Sequence, residues 1–199
     1  MNSTFKNILC LTIITLVAGF GLGFVYDITK EPIARMEENT KLEAYKAVFA
    51  DADHFDEVSD MTGEDGPSAN MTGSAVDIDS VVVAMDAANS PVGYVINVTS
   101  HEGYGGDITL SVGIDNNGTV RGMEILDISE TAGLGMRARE DKFKDQFRNK
   151  AVSQFTYTKT GATQDFEIDA ISGATITTKA VTNAVNAAIA YYSTLGGAN

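Results

Sequence analysis

Cysteine occurs once in this chain, at position 10, inside a long apolar run. A single thiol excludes a disulfide within the chain, and it excludes a cysteine-built zinc or iron–sulfur site. Cys10 also lies too close to the N-terminus, with no apolar run before it, to be a lipoprotein attachment site. Histidine is almost as scarce. His54 and His101 stand in no triad spacing and no Gly-x-Ser-x-Gly elbow is present, which argues against a serine hydrolase. Basic residues are few, 14 against 27 acidic ones. Nucleic acid is therefore excluded as a partner, and an anionic lipid surface is a poor one. The excess acid suits a domain that stays off the membrane surface or meets a basic partner, and plain solubility accounts for it equally well.

What is present begins with the N-terminus. Residues Ile8 to Tyr26 carry no charge and are dominated by Ile, Leu, Val, Phe, Ala and Gly. As a helix this run spans roughly 28 Å, close to the hydrocarbon thickness of a bilayer. A cleavable signal peptide is the competing reading, but no small-x-small site follows the run and its apolar core is long for one. The spacing predicts an uncleaved anchor over residues 1–26. Lys6 lies on one side of it and Lys30, Arg35 and Lys41 on the other, so charge does not fix its orientation.

Residues 27–76 divide into a helix and a loop. A helix is expected from Asp27 to about Ala52, with Pro32 in its first turn and Ile33, Met36, Thr40, Ala44 and Val48 along an apolar stripe. Asp56 to Ala75 is acidic and poor in bulky apolar residues, and it reads as a flexible loop.

From residue 77 the pattern becomes that of strands: Ser80 to Met85, Val92 to Thr99, Asp107 to Ile114 and Thr119 to Leu126. Ile108, Leu110, Val112 and Ile114 alternate on one face, and Asp115-Asn116-Asn117-Gly118 is a hairpin turn. Four such strands form an antiparallel meander with one buried face. A helical stretch at Arg139 to Phe147, a short strand at Phe166 to Ile168 and a long helix ending near Tyr192 complete an α+β domain over residues 77–199.

Three stretches carry chemistry. Asp169-Ala170-Ile171-Ser172-Gly173-Ala174-Thr175 sits where the last strand gives way to the last helix. A Ser172-Gly173-Ala174-Thr175 turn offers free N–H groups and a partial positive charge to a phosphate, and Thr175 adds a hydroxyl. The same residues also make an ordinary helix cap. Glu130-Thr131-Ala132-Gly133-Leu134-Gly135 follows the fourth strand and supplies an acceptor, a hydroxyl and a Gly-flanked leucine able to lie flat on a ring. Gly93-Tyr94, Gly103-Tyr104-Gly105-Gly106 and Val112-Gly113-Ile114-Asp115 place glycines where backbone approaches closely. Tyr104 either stacks on a ligand or packs in the core. Lys179, one turn past Thr175, either reaches a phosphate or is a surface lysine.

The Asp-x-x-Ser-Gly-Ala-Thr string resembles the flavinylation motif of the FMN-binding domain family. The anchor, the Gly-Tyr-Gly-Gly stretch, the Glu-Thr-Ala-Gly-Leu-Gly loop and this string stand in the order found in the G subunit of Rnf-type ion-translocating ferredoxin:NAD oxidoreductase complexes. The related C subunit of the sodium-translocating NADH:quinone reductase shares the domain. The resemblance implies FMN joined by a phosphodiester to Thr175, with Ser172, Gly173, Ala174, Glu130, Thr131 and Leu134 around it and Asp169 in recognition during modification. It implies a separate flavin transferase that moves FMN from FAD with magnesium, and other membrane subunits as partners. It also implies a domain on the extracytoplasmic side that passes electrons in a process moving Na⁺ or H⁺, and no complete enzyme in this chain alone. A free-standing flavin domain feeding extracellular acceptors and an anchored scaffold without cofactor are the alternatives. Two positions depart from the pattern: Ala132 stands where proline is usual, and Ile128 where many relatives have histidine.

Overall fold

The computed structural model describes residues 3–58 and 76–195. The chain divides into two units, Met1–Thr40 and Lys41–Asn199. The acidic loop expected over Asp56 to Ala75 falls almost wholly outside the described residues.

The first unit is helical. Helix α1 runs Ser3–Val48 without a break, and its stretch from Phe5 is long and apolar enough to cross a membrane. Leu16, Val17, Phe20 and Leu22 are all exposed, as a lipid-facing surface requires. Thr12, Thr15 and Thr29 donate their hydroxyls to the carbonyls of Ile8, Leu11 and Val25, so these polar groups are satisfied inside the helix itself. Pro32 does not open a second helix as its position suggested. It lies within α1, where it forgoes one backbone hydrogen bond while the flanking turns carry the helix through.

The second unit is a sheet covered on both faces. Strands β1 (His54–Glu57), β2 (Val76–Met85), β3 (Pro91–Ser100), β4 (Ile108–Asp115) and β5 (Val120–Ile128) form one antiparallel sheet in sequence order. The Asp115–Gly118 turn closes the β4–β5 hairpin, with Gly118 at φ +78°. Helix α3 (Thr175–Thr194) packs on one face, where Ala180, Val181, Ala184, Val185 and Ala188 meet Ile96, Val98, Ile108, Leu110, Val112 and Ile114. Small residues on the helix let it lie close. In the same core Phe143, Phe147 and Phe155 stack edge to face at 5.6 and 5.0 Å, each pair worth about 1 kcal/mol beyond area burial.

The expectation of one buried face is corrected by the other side of the sheet. There the last turn of α1 delivers Tyr45, Val48 and Phe49 onto Val82, Ala84 and Val95. The floor beneath them is glycine. A Cβ on Gly93 would fall 2.5 Å from the Phe49 ring, and one on Gly113 would fall 2.9 Å from Val48. Asn97, buried on this side, donates to Tyr45 Oη at 2.6 Å and to Ser80 Oγ at 2.8 Å, and it accepts from Ser111 at 2.6 Å. Gly93 and Gly113 thus serve packing on the sheet, and Tyr94 meets Tyr192 edge to face.

Between β5 and α3 the helical stretch starts earlier and is more broken than its sequence suggested. It consists of a 3-10 turn at Gly135–Arg139, α2 (Asp141–Lys144) and a second 3-10 turn at Asp145–Phe147. A two-stranded parallel pair, β6 (Thr156–Thr158) with β7 (Glu167–Asp169), precedes α3. Asn186 of α3 pins it by hydrogen bonds to both the N–H and C=O of Phe155, at 2.7 and 2.9 Å.

Candidate functional site

Two loops leave the same end of the sheet and meet the first turn of α3. One is the β3–β4 connection, residues 101–107; the other follows β5, residues 129–135. Glu130 joins them, because its carboxylate accepts the backbone N–H of Tyr104 at 2.7 Å. The approach is close throughout. A Cβ on Gly105 would fall 2.0 Å from the Ser129 carbonyl oxygen. One on Gly135 would strike Thr177 Oγ1 at 2.6 Å and the Glu130 side chain at 2.7 Å.

The turn into α3 is built from inside the helix. Gly173 adopts φ +79°, and Ala174 N–H returns to Ile171 C=O at 2.9 Å. The buried Thr178 hydroxyl donates to Ala174 C=O at 2.9 Å and accepts from Ile171 N–H at 3.0 Å. Ala174 occupies the cap position and provides no side-chain hydrogen bond. The N–H groups of Thr175, Ile176 and Thr177 therefore point out of the helix start with no capping side chain, an anion-binding arrangement.

These parts enclose a cavity of about 520 Å³, lined by Tyr104, Glu130, Thr131, Leu134, Gly135, Gly173, Ala174, Thr175, Ile176 and Thr177. Its size and its mixture of apolar walls with a few polar groups are those of a small-molecule site. Five large apolar side chains are exposed after Leu42 among the described residues, and Tyr104, Leu134 and Ile176 of this cavity are three of them. A second cavity, about 300 Å³, is lined by Lys159, Ala170, Ile171, Ser172, Gly173 and Thr175. Thr175 is thus reached from both.

A family model described as an FMN-binding domain matches residues 103–190. The chain is 32% identical over 196 residues to the G subunit of the proton-translocating ferredoxin:NAD(+) oxidoreductase complex of Clostridium ljungdahlii, covering 98% of this chain and 95% of that one. It is 32% identical over 194 residues to the G subunit of the Na(+)-translocating ferredoxin:NAD(+) oxidoreductase complex of Acetobacterium woodii, covering 96% and 92%. The chain belongs to the G-subunit family of ion-translocating oxidoreductase complexes. Among solved structures, the C subunit of the Na(+)-translocating NADH-quinone reductase from Parabacteroides distasonis aligns with a TM-score of 0.45 at 25% identity over 59% of each chain.

Of the residues singled out in the sequence, this member of the G-subunit family gathers Glu130, Thr131, Leu134, Gly173, Ala174 and Thr175 at one cavity. Ser172 faces the second cavity instead. Asp169 is elsewhere again, in a groove of about 210 Å³ with Arg137, Gln146 and Ser172. Its carboxylate accepts the N–H of Ala162 at 2.6 Å, and its own N–H donates to Gln146 at 2.6 Å. Lys179 is engaged with Glu102 at 2.7 Å, and Asn183 reaches the other oxygen of that carboxylate. The lysine's hydrogen bond, foremost, holds the Glu102 carboxyl below its usual range. Tyr104 is not in the core; it is 72% exposed at the cavity wall. Ile128 is buried in the main core opposite Ile108, away from solvent. Sequence reading missed Gly135, Ile176 and Thr177 as lining residues, although their places beside Leu134 and Thr175 were the signal that could have found them.

Proposed function

We propose that this chain is the flavin-bearing electron carrier of an Rnf-type membrane complex, with FMN held by a phosphodiester on Thr175. The observation that supports this most is the position of Thr175. It is the first residue of α3, beside uncapped N–H groups, and it opens on both cavities. FMN fits the residues present. The uncapped helix start suits its phosphate, while Tyr104, Leu134 and Ile176 give the larger cavity apolar surfaces for a flat ring. Glu130 and Thr131 offer polar atoms along one wall.

FMN supplies the capacity to take up and release electrons. The chain supplies place and surroundings. Gly173 keeps the turn narrow enough for Leu134 to lie over it, and Glu130 holds Tyr104 at the cavity wall. In the modification, carried out by a separate FAD-dependent transferase with magnesium, Thr175 Oγ forms a bond to the FMN-side phosphorus of FAD. The pyrophosphate bond breaks, AMP leaves and the hydroxyl proton passes to the transferase or solvent. The tether keeps the cofactor with the domain on the extracytoplasmic side, where a lost flavin is not recovered. The complex couples ferredoxin:NAD electron transfer to Na⁺ or H⁺ movement. Relatives named for either ion stand at the same 32% identity, so overall likeness to them does not select the ion.

The test is the mass of the purified chain after co-expression with a flavin transferase. A gain of one FMN less one water, on the peptide containing Thr175 and absent from Thr175→Ala, is the expected result. An unmodified chain, with the transferase active on a control protein, overturns the proposal.

A further inference from the structure

Most basic side chains of the domain are already neutralised. Lys144 lies 2.8 Å from Glu124, Lys150 2.5 Å from Asp165 and Lys179 2.7 Å from Glu102, while Arg121, Arg137 and Arg148 each face a carboxylate. Lys159 is different. It makes no ion pair among the described residues, it is exposed, and it lines the second cavity together with Gly173 and Thr175. Lys142 and Arg139 are also without an ion pair among the described residues, but Lys142 lines the groove that holds Asp169, Arg139 donates to the Leu126 carbonyl at 3.2 Å, and neither lines a cavity that Thr175 reaches.

The turn carrying Lys159 is stitched to the segment that leads into Thr175. Thr158 C=O accepts the N–H of Ala170 at 2.8 Å, and Thr158 Oγ1 accepts the N–H of Thr160 at 3.2 Å. Asp169 Oδ1 accepts the N–H of Ala162 at 2.6 Å, closing the far side of the turn. Both anchors, Asp169 and Ala170, belong to the same seven-residue string as Thr175. In a chain so rich in acid, a lysine left without a carboxylate and held at this place has an anion as its natural counterpart.

We propose that Lys159 is the cation that holds the phosphate carried at Thr175, and that Asp169 is a positioning residue that sets Lys159 through the 158–162 turn. This rests on the reading of Thr175 as the FMN attachment point. The phosphate then meets two sources of positive potential, the N–H groups of α3 and the Lys159 ammonium. Asp169 acts on the phosphate only through the backbone of the turn.

The experiment uses the full chain co-expressed with an active flavin transferase. It follows the rate at which the Thr175 peptide gains flavin, and the ³¹P resonance of the modified protein. Lys159→Ala is expected to slow modification about threefold to tenfold, the range for losing a partly exposed charge-assisted contact. Lys159→Glu slows it further, and Lys159→Arg stays near wild type. The ³¹P resonance moves in Lys159→Ala and stays in place in Lys46→Ala, on the last turn of α1. Asp169→Ala behaves like Lys159→Ala, whereas Asp169→Asn, which keeps the Oδ1 acceptor, remains within about twofold of wild type.

Modification of Lys159→Ala and Lys159→Glu at the wild-type rate overturns the role of Lys159, and so does a slower rate with an unmoved ³¹P resonance. Asp169→Asn falling as far as Asp169→Ala overturns the positioning role of Asp169. A wild-type chain without flavin on Thr175 is a different failure. It removes the attachment reading itself, and Lys159 with it.

Discussion

Leu134 Cδ2 stands 3.0 Å from the place a Cβ would occupy on Gly173. The loop after β5 and the turn into α3 are therefore in contact through a residue that has no side chain, and the contact forms one wall of the larger cavity. Gly173 also sits at φ +79°, so two separate penalties await any substitution there.

Gly173→Ala is expected to cost about 1–3 kcal/mol, from left-handed backbone strain together with the clash. Adding Leu134→Ala should return only the steric part. Urea unfolding of wild type, both single variants and the double variant gives the coupling. Simple additivity would mean that the two residues do not press on each other.

Glu130→Gln keeps an oxygen for the Tyr104 N–H, and Glu130→Ala does not. Hydrogen exchange at the Tyr104 amide should be close to wild type in the first variant and at least tenfold faster in the second, as a lost charge-assisted bond of about 1.5 kcal/mol requires. Equal protection in both would detach Glu130 from this loop.

His101 bridges Asp77 at 3.0 Å and Asp107 at 2.8 Å, and the hydrogen bond to Asp77, foremost, raises its pKa above the ordinary histidine value. Its charged form is thus favoured in the folded state. The stabilisation is fully present below the unfolded pKa of about 6.5 and is lost as pH rises through the higher folded value. The thermal midpoint of wild type minus that of His101→Gln should be positive near pH 6 and shrink toward pH 9. A gap that grows with pH would contradict the bridge.

Phe49→Ala removes the ring seated on Gly93 and Gly113 and should cost about 3–5 kcal/mol. Tyr45→Phe leaves Asn97 without one of its partners and should cost about 1–3 kcal/mol. Denaturant midpoints measure both. Losses below half a kilocalorie would mean that the last turn of α1 is no part of the domain core.

The parts of the fold that were readable are those where one residue type repeats with a clear period. The Ile108-Leu110-Val112-Ile114 alternation and the Asn-Gly turn placed β4 and β5 to within two residues at their ends. β1 and β6, at four and three residues, are too short to show a period. The second buried face was hidden because its floor includes Gly93, Asn97, Ser111 and Gly113, residues that look solvent-facing until Phe49 lies on the glycines and Tyr45 bonds to Asn97. At the site, Thr175 and the Glu130 loop stood out because glycines and hydroxyls cluster there. Asp169 was legible as a residue of interest but not in what it touches, since its partner Ala162 contributes only a backbone N–H. Lys159 belongs to no motif, and only the parallel pairing of β6 with β7 brings it beside Ser172.

The end of the sheet away from the cavity has a practical use. The β2–β3 and β4–β5 turns lie there side by side, joined by the hydrogen bond from Asn116 Nδ2 to the Pro91 carbonyl at 2.6 Å. Eight residues of β4 separate them from the Tyr104 loop, roughly 27 Å of strand. The natural thiol is confined to Cys10. Once that is replaced by serine, a cysteine at Asn117 becomes a single address for a dye or spin label, one that reports distances to neighbouring proteins while leaving the cavities at Thr175 untouched.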